Sequence, residues 1–334
     1  MQKSFIALSL LVVSLLSCSN KEQYHSLSGF AQGTTYNITY QGGEDYSADI
    51  DNYLQEFDNS LSFYSDSSLL TQLNSGESQL VDTLFSEVFN LSKTINNLTD
   101  GYFDPTVGAL FRAYGFAGGK PKMLNQSELD SIMVGVGLSK VALENGLLVR
   151  ENNQIKLDFS GVAQGMSVDM VANLLEQRGV QNYMIEIGGE IISSGFSPSG
   201  RLWRIGIDTP EQGNMISGAN ISTIVEIGGN SGKRGLATSG NYRKFMETDA
   251  HELITHTLNP LTGHPASHNL LSATIIAESS ALADGFATAA MVGGLEWTRS
   301  RVDSLRGVGY NIDCVLIYSD SLQMMQTYST LPAL

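Results

Sequence analysis

Asp284 and Thr288 are the residues whose types and spacing point most directly to chemistry. They stand four apart in E-S-S-A-L-A-D-G-F-A-T-A-A-M-V-G-G, which runs from Glu278 to Gly294. On a helix that spacing puts both side chains on one face, a turn apart. A carboxylate beside a hydroxyl is a partial magnesium site, because magnesium takes one or two carboxylates and shares its other positions with water and phosphate. The same pair also fits a packing helix with one buried, hydrogen-bonded Asp. Ser279 or Ser280 is placed to cap the helix. Its other residues, Ala281, Ala283, Gly285, Ala287, Ala289 and Ala290, are small enough for backbone or a ligand to come close. Just upstream, T-H-T-L-N-P-L-T-G-H-P (Thr255 to Pro265) presents His256, the best-placed titratable side chain for moving a proton. His251, His264 and His268 lie near it, but their spacing does not match H-E-x-x-H and no cysteine assists, which argues against zinc.

Four further stretches combine glycine with polar side chains where the chain enters or leaves an element: Gly33–Tyr36, Asp100–Gly108, Asp158–Gly165 and Ala237–Gly240. Glycine lets backbone amides face a ligand, and hydroxyls or amides then hold phosphate or ring oxygens. Each alone reads as a turn; together with Thr255–Gly294 they suggest one binding site. Asp158–Gly165 leads from a strand into a helix N-terminus, a natural anion site. It lacks the Gly-Lys-Ser/Thr of a Walker loop and the G-x-G-x-x-G of a dinucleotide fold. No G-x-S-x-G elbow supports serine hydrolase chemistry.

These stretches must be held by regular elements. Residues 34–40 alternate as a strand and Ser47–Ser62 has helical spacing. A short helix is expected at Leu69–Leu73. Asp82 caps another, with Leu84, Val88, Leu91, Ile95 and Leu98 on one side. Short strands are expected within 140–158, then a helix to Arg178. A strand pair or bulged strand follows at Tyr183–Ile192, with strands at 202–207 and 219–227 and a glycine-rich turn at Gly228–Gly232. Helices and strands mix without strict alternation, which favours an α+β fold over a doubly wound sheet.

The 334-residue chain opens with Lys3, the apolar run Phe5–Leu16 and then Ser17-Cys18. That is a secretory signal, too short to span a bilayer. A Cys at the cut makes it a lipoprotein signal, with Cys18 lipidated. The expected organisation is a signal peptide at 1–18, a tether at 19–28 and one catalytic domain at 29–334. Cys314 is the only other cysteine, so there is no disulfide framework; it sits in an apolar strand as a core residue. The 34 acidic against 19 basic residues give a net charge of −15, which argues against a nucleic-acid partner. An acidic protein binds an anion through a metal or helix N-termini.

The chain resembles the ApbE family, the FAD:protein FMN transferases, in its exported lipoprotein form. The matching pieces are G-T-T-Y, the Ser62–Asn74 stretch, T-D-G-Y-F-D-P-T-V-G, L-D-F-S-G-V-A-Q-G, I-x-I-G-G-E, A-T-S-G-N-Y, H-T-L-N-P-L-T-G-H-P and A-D-G-F-A-T-A, in the family's order. The resemblance implies a single T-fold-like α+β unit, a mixed, largely antiparallel sheet with packed helices and the ligand between two lobes. It implies that FAD is bound with Mg2+ and cleaved. FMN is then joined to a Thr or Ser of a target protein, and AMP is released. The family's metal ligands map onto Asp284, Thr288 and the carbonyl of Gly161, with Ala287 beside them. Its flavin contacts map onto Tyr64, Tyr102, Phe103, Asp104, Asp158, Gln164 and Leu258, and its histidine beside the reacting phosphate onto His256. Gln32 stands where the family usually has Met, and Gln164 where it often has Lys or Glu. The implied acceptors are redox subunits at a bacterial membrane, on its extracytoplasmic side. Two other activities fit the same residues: an FAD pyrophosphatase giving FMN and AMP, and a non-catalytic flavin-binding lipoprotein.

Overall fold

The computed structural model describes residues 23–211, 218–241, 245–247 and 253–332. The expected signal peptide with Cys18, residues 19–22 of the expected tether and His251 lie outside them. In chain order the elements begin with β1 (Tyr24–Ala31), β2 (Thr34–Gln41), α1 (Ser47–Leu61), α2 (Leu69–Ser75), α3 (Thr83–Leu98), α4 (Gly108–Ala113) and α5 (Gln126–Met133). Then come β3 (Val141–Glu144), β4 (Leu147–Arg150), α6 (Ala163–Gln177), β5 (Tyr183–Ile187), β6 (Glu190–Gly195), β7 (Trp203–Asp208) and β8 (Ile221–Ile227). The last are β9 (Gly229–Gly240), β10 (Phe245–Glu247), β11 (Leu253–Thr255), β12 (Leu270–Ala277), α7 (Ser280–Gly307), β13 (Asp313–Ser319) and β14 (Met325–Ser329).

Eight strands form one sheet in the order β1-β2-β5-β6-β9-β12-β13-β14, antiparallel at every described pairing. The fold is α+β, as expected. The central strands are apolar on both sides because both faces of the sheet are covered. Ile275, Cys314 and Leu316 point into the core shared with Phe286 and Ala287 of α7. Ile276, Val315 and Ile317 point the other way, onto Ile205, Ile207, Val225 and Ile227 of the β7–β8 hairpin. Cys314 is fully buried, and burial pushes its thiol up to about 12.

Several local expectations change. Tyr24–Ala31 is the edge strand β1, so residues 24–28 belong to the sheet rather than to a tether. Residues 155–158 form no strand; a single parallel bridge joins Lys156 to Val107. Gly229–Gly232 begins a long strand rather than a turn. Asp82 does cap α3, accepting from the Phe85 amide, but the buried stripe is Phe85, Val88, Phe89, Ser92 and Ile95. Tyr183–Ile192 is a hairpin turned by Gly188 and Gly189, both at positive φ (63° and 105°), the conformation a two-residue type I′ turn requires. Ser279, not Ser280, caps α7, and its hydroxyl accepts from the Leu282 amide.

Candidate active site

The oxygen-donor end of the site is built where α6 meets α7. Asp284 is 4% exposed, and its Oδ2 accepts the Gly165 amide at 3.2 Å. Thr288 lies one turn further along α7. Its Oγ1 is 3.5 Å from the carbonyl oxygen of Gly161, in the loop that leads into α6. A Cβ on Gly161 would stand 2.9 Å from that hydroxyl, so glycine leaves the room between them. A carboxylate, a hydroxyl and a carbonyl are all hard oxygen donors, and adjacent ligands of an octahedral magnesium lie about 3 Å apart. The set fits that ion. Among the described residues, no group of three or more His, Cys, Asp or Glu is placed to hold a metal ion by itself. His268 is engaged elsewhere, with Nε2 2.9 Å from the Met291 carbonyl oxygen.

The middle of the site is held by backbone bonds across distant segments. The buried Asn74 amide donates to the Leu157 carbonyl and accepts the Leu157 amide, both at 2.8 Å. That fixes Asp158, whose carboxylate accepts the Ser160 amide at 2.9 Å. Burial raises the Asp158 carboxyl above its usual range, while the bonds to Ser160 and the charge of Arg112 pull the other way. The Asp158 amide donates to Pro105 O at 2.7 Å and the Gly108 amide to Lys156 O at 3.2 Å, which ties the 102–108 loop alongside. A Cβ on Gly108 would meet Lys156 O at 2.7 Å. Asp104 accepts the Thr106 hydroxyl and amide at 2.6 and 2.8 Å, and the Leu138 amide at 2.9 Å. Burial raises its carboxyl as well.

His256 follows β11 in a segment anchored on both sides. The Thr257 hydroxyl donates to Asn241 Oδ1 at 2.7 Å, and the Tyr114 hydroxyl donates to the Gly263 carbonyl at 3.0 Å. The aromatic end is looser. Tyr64 is 72% exposed and meets Phe63 edge-on at 5.8 Å, while Tyr102 meets Trp297 edge-on at 4.9 Å.

One cleft of about 560 Å³ gathers these groups, a size ordinary for a small-molecule site. Tyr64, Tyr102, Phe103, Asp104, Asp158, Gly161, Gln164, His256, Leu258, Asp284 and Thr288 all line it. Segments as far apart in the chain as Tyr64 and Thr288 thus meet in one place. The family model described as the ApbE family matches residues 32–311. The chain belongs to the ApbE family. It is 34% identical to the FAD:protein FMN transferase of Vibrio cholerae over 307 residues, 89% of each chain. It is 33% identical to that of Haemophilus influenzae over 303 residues, 85% of each chain. Among solved structures, the flavin transferase ApbE from Vibrio cholerae superposes with a TM-score of 0.78 at 30% identity, covering 92% of this chain and 97% of that one. The apo flavinyl transferase ApbE from Pseudomonas stutzeri gives 0.79 at 28% identity, covering 92% and 95%.

Within this ApbE chain, two candidates lie off the cleft. Ala287 is fully buried and does not line it, so it has only backbone to offer. Gln32 turns its Oε1 to the Ser167 hydroxyl on α6, 3.1 Å away, and does not line the cleft either. Gln164 does line it and packs against the β5–β6 turn: a Cβ on Gly188 would meet its Nε2 at 2.3 Å. Ser160, Thr238 and Ser239 line it too, from the stretches Asp158–Gly165 and Ala237–Gly240 that the sequence singles out, whereas sequence reasoning missed Glu190. The signal for Glu190 was its place directly after the Gly188–Gly189 turn. Asp104, Asp158, Glu190 and Asp284 line the cleft and no Lys or Arg does, among the described residues. An anionic ligand there needs a cation or backbone amides.

Proposed function

We propose that this chain is a FAD:protein FMN transferase that moves the FMN half of FAD onto a Thr or Ser hydroxyl of a target protein, in a magnesium-dependent reaction that releases AMP. Family membership and relatives of that name along most of the chain support the transferase reading. The observation that carries the rest is the meeting of Asp284, Thr288 and the Gly161 carbonyl with His256 and the aromatic residues Tyr64 and Tyr102 in one acidic cleft. Asp284, Thr288 and Gly161 would hold the metal. Magnesium bound there offsets the negative charge of a diphosphate in a cleft lined by carboxylates and stabilises the charge that develops as the phosphoryl bond breaks.

The protein's own part is positioning and proton transfer. Tyr64 and Tyr102 offer ring faces or edges to a flavin or adenine, and Asp158 and Gln164 offer polar contacts deeper in. A ring nitrogen of His256 takes the proton of the incoming hydroxyl. The hydroxyl oxygen then bonds to the phosphorus of the FMN half, the bond to the bridging oxygen breaks, and that oxygen leaves with AMP.

Cys18 and the apolar run before it support placing the domain on the extracytoplasmic side of a bacterial membrane by a lipid anchor. Membrane redox subunits are then its acceptors. Labelled fatty acid incorporated by the wild type and lost in Cys18→Ala checks the anchor. The reaction is checked by incubating the chain with FAD and a Thr-bearing acceptor peptide, with and without magnesium. An FMN-sized mass gain with magnesium only is the expected result. AMP without mass gain would instead mean hydrolysis, and bound FAD with neither product would mean a binding protein.

A further inference from the structure

The two helices that carry the donor set are joined by more than side-chain packing. Asp169 on α6 is half-buried against the start of α7, where its Oδ1 accepts the Ser280 amide at 2.8 Å and its Oδ2 the Ala281 amide at 2.9 Å. One turn earlier on α6, the Gly165 amide donates to Asp284 Oδ2, one turn later on α7. The two rungs therefore run antiparallel: 165 meets 284, and 169 meets 280 and 281. Backbone contact here is as close as it can be. A Cβ on Gly165 would lie 2.5 Å from Ser280 O, and one on Gly235 of β9 would lie 2.2 Å from the carbonyl carbon of Ser279.

The start of α7 already has a cap of its own in Ser279, whose hydroxyl accepts from Leu282 at 3.1 Å. A serine of that kind satisfies a helix end without burying a charge. Desolvating a carboxylate is costly, and that desolvation pushes the Asp169 carboxyl up to about 6 against the pull of the two amides. What Asp169 adds beyond a cap is a fixed register between two helices. Both rungs set how far α7 can slide along α6, and a shift of about 1 Å is enough to spoil a site of this kind.

We propose that Asp169 is a positioning residue of the transfer site: it locks the register of α7 on α6 and so holds Asp284 and Thr288 opposite the Gly161 carbonyl. The inference rests on the reading of those three as metal ligands. Asp169→Asn keeps one acceptor but turns an NH2 toward the second amide, so it breaks half of the upper rung.

The test is Mn2+ binding to the full chain without FAD, followed by electron paramagnetic resonance, beside the melting temperature. Asp169→Asn is expected to weaken Mn2+ about 10- to 100-fold in folded protein. Ser279→Ala, which removes only the helix's own cap, is expected to lower the melting temperature and leave the Mn2+ affinity within about twofold, an uncoupling that a general loss of helix stability would not give. Wild-type Mn2+ affinity in folded Asp169→Asn would overturn the proposal. If Asp169→Asn does not fold, Asp169→Glu answers the same question: it keeps the charge, displaces the oxygens by one methylene, and is expected to weaken Mn2+ in the same way. A wild-type chain that binds no Mn2+ would overturn the metal reading itself, an outcome distinct from the failure of Asp169 alone.

Discussion

At one end of the cleft Asp284 is 4% exposed and bonded by a backbone amide from a second helix; at the other, Tyr64 is 72% exposed and leans on one neighbouring ring. The first end is made of small residues and helix termini in contact with the sheet. The second is made of loops. Under the proposed function, the difference follows from what each end would have to do. Placing oxygens around an ion and a breaking bond needs positions fixed to within about half an ångström, and rigid elements supply that. Holding a flat ring needs mainly area, and exposed side chains on loops supply that.

The sharpest way to separate the ends is to remove Asp284. Asp284→Ala is expected to lower FMN transfer by about 10³-fold or more while FAD still binds through the aromatic end. Next is His256→Ala, expected to reduce kcat by about 10²- to 10⁴-fold with little change in KM for FAD. Gly161→Ala puts a methyl 2.9 Å from the Thr288 hydroxyl. It should displace one donor, reduce turnover by about 10²-fold and raise the magnesium concentration needed for half-maximal rate. Tyr64→Ala should act only on binding. Losing one partly exposed ring contact of about 1 kcal/mol raises KM for FAD about fivefold and leaves kcat unchanged. A Tyr64 variant that lost kcat, or an Asp284 variant that lost only affinity, would break the division between the two ends.

The buried end also carries a pH signature. Burial raises the carboxyls of Asp104, Asp158 and Asp169, the last from 3.8 to about 6. In that window the folded state holds a proton that the unfolded state has released, so stability falls as pH rises from about 4 to 6. Melting temperature against pH in Asp169→Asn should show a shallower fall over that window than the wild type.

The meeting of the donor residues was readable in the chain because they are close in sequence or sit in short, unusual strings. Asp284 and Thr288 are one turn apart on a helix of small residues, and Gly161 sits in a polar loop before a helix. Asp169 was not readable. In sequence it is one Asp on an amphipathic helix, and its meaning lies in amides 111 and 112 positions away. Glu190 was hidden for a similar reason, since only the hairpin shows that it faces the cleft. Gly228–Gly232, where β9 begins, read as a turn because it is rich in glycine, yet further along the strand, at Gly235, glycine lets α7 start against the sheet. Tyr24–Ser28 read as part of a tether because an edge strand that is nowhere fully buried has little apolar alternation to show.

The central claim is that Asp284 serves the reaction and the aromatic rim serves binding. The direct test compares wild type and Asp284→Ala with FAD, magnesium and an acceptor peptide, reading flavin fluorescence for binding and peptide mass for transfer. The account predicts that both proteins bind FAD and only the wild type adds the FMN mass. An Asp284→Ala chain that adds FMN at the wild-type rate would contradict it.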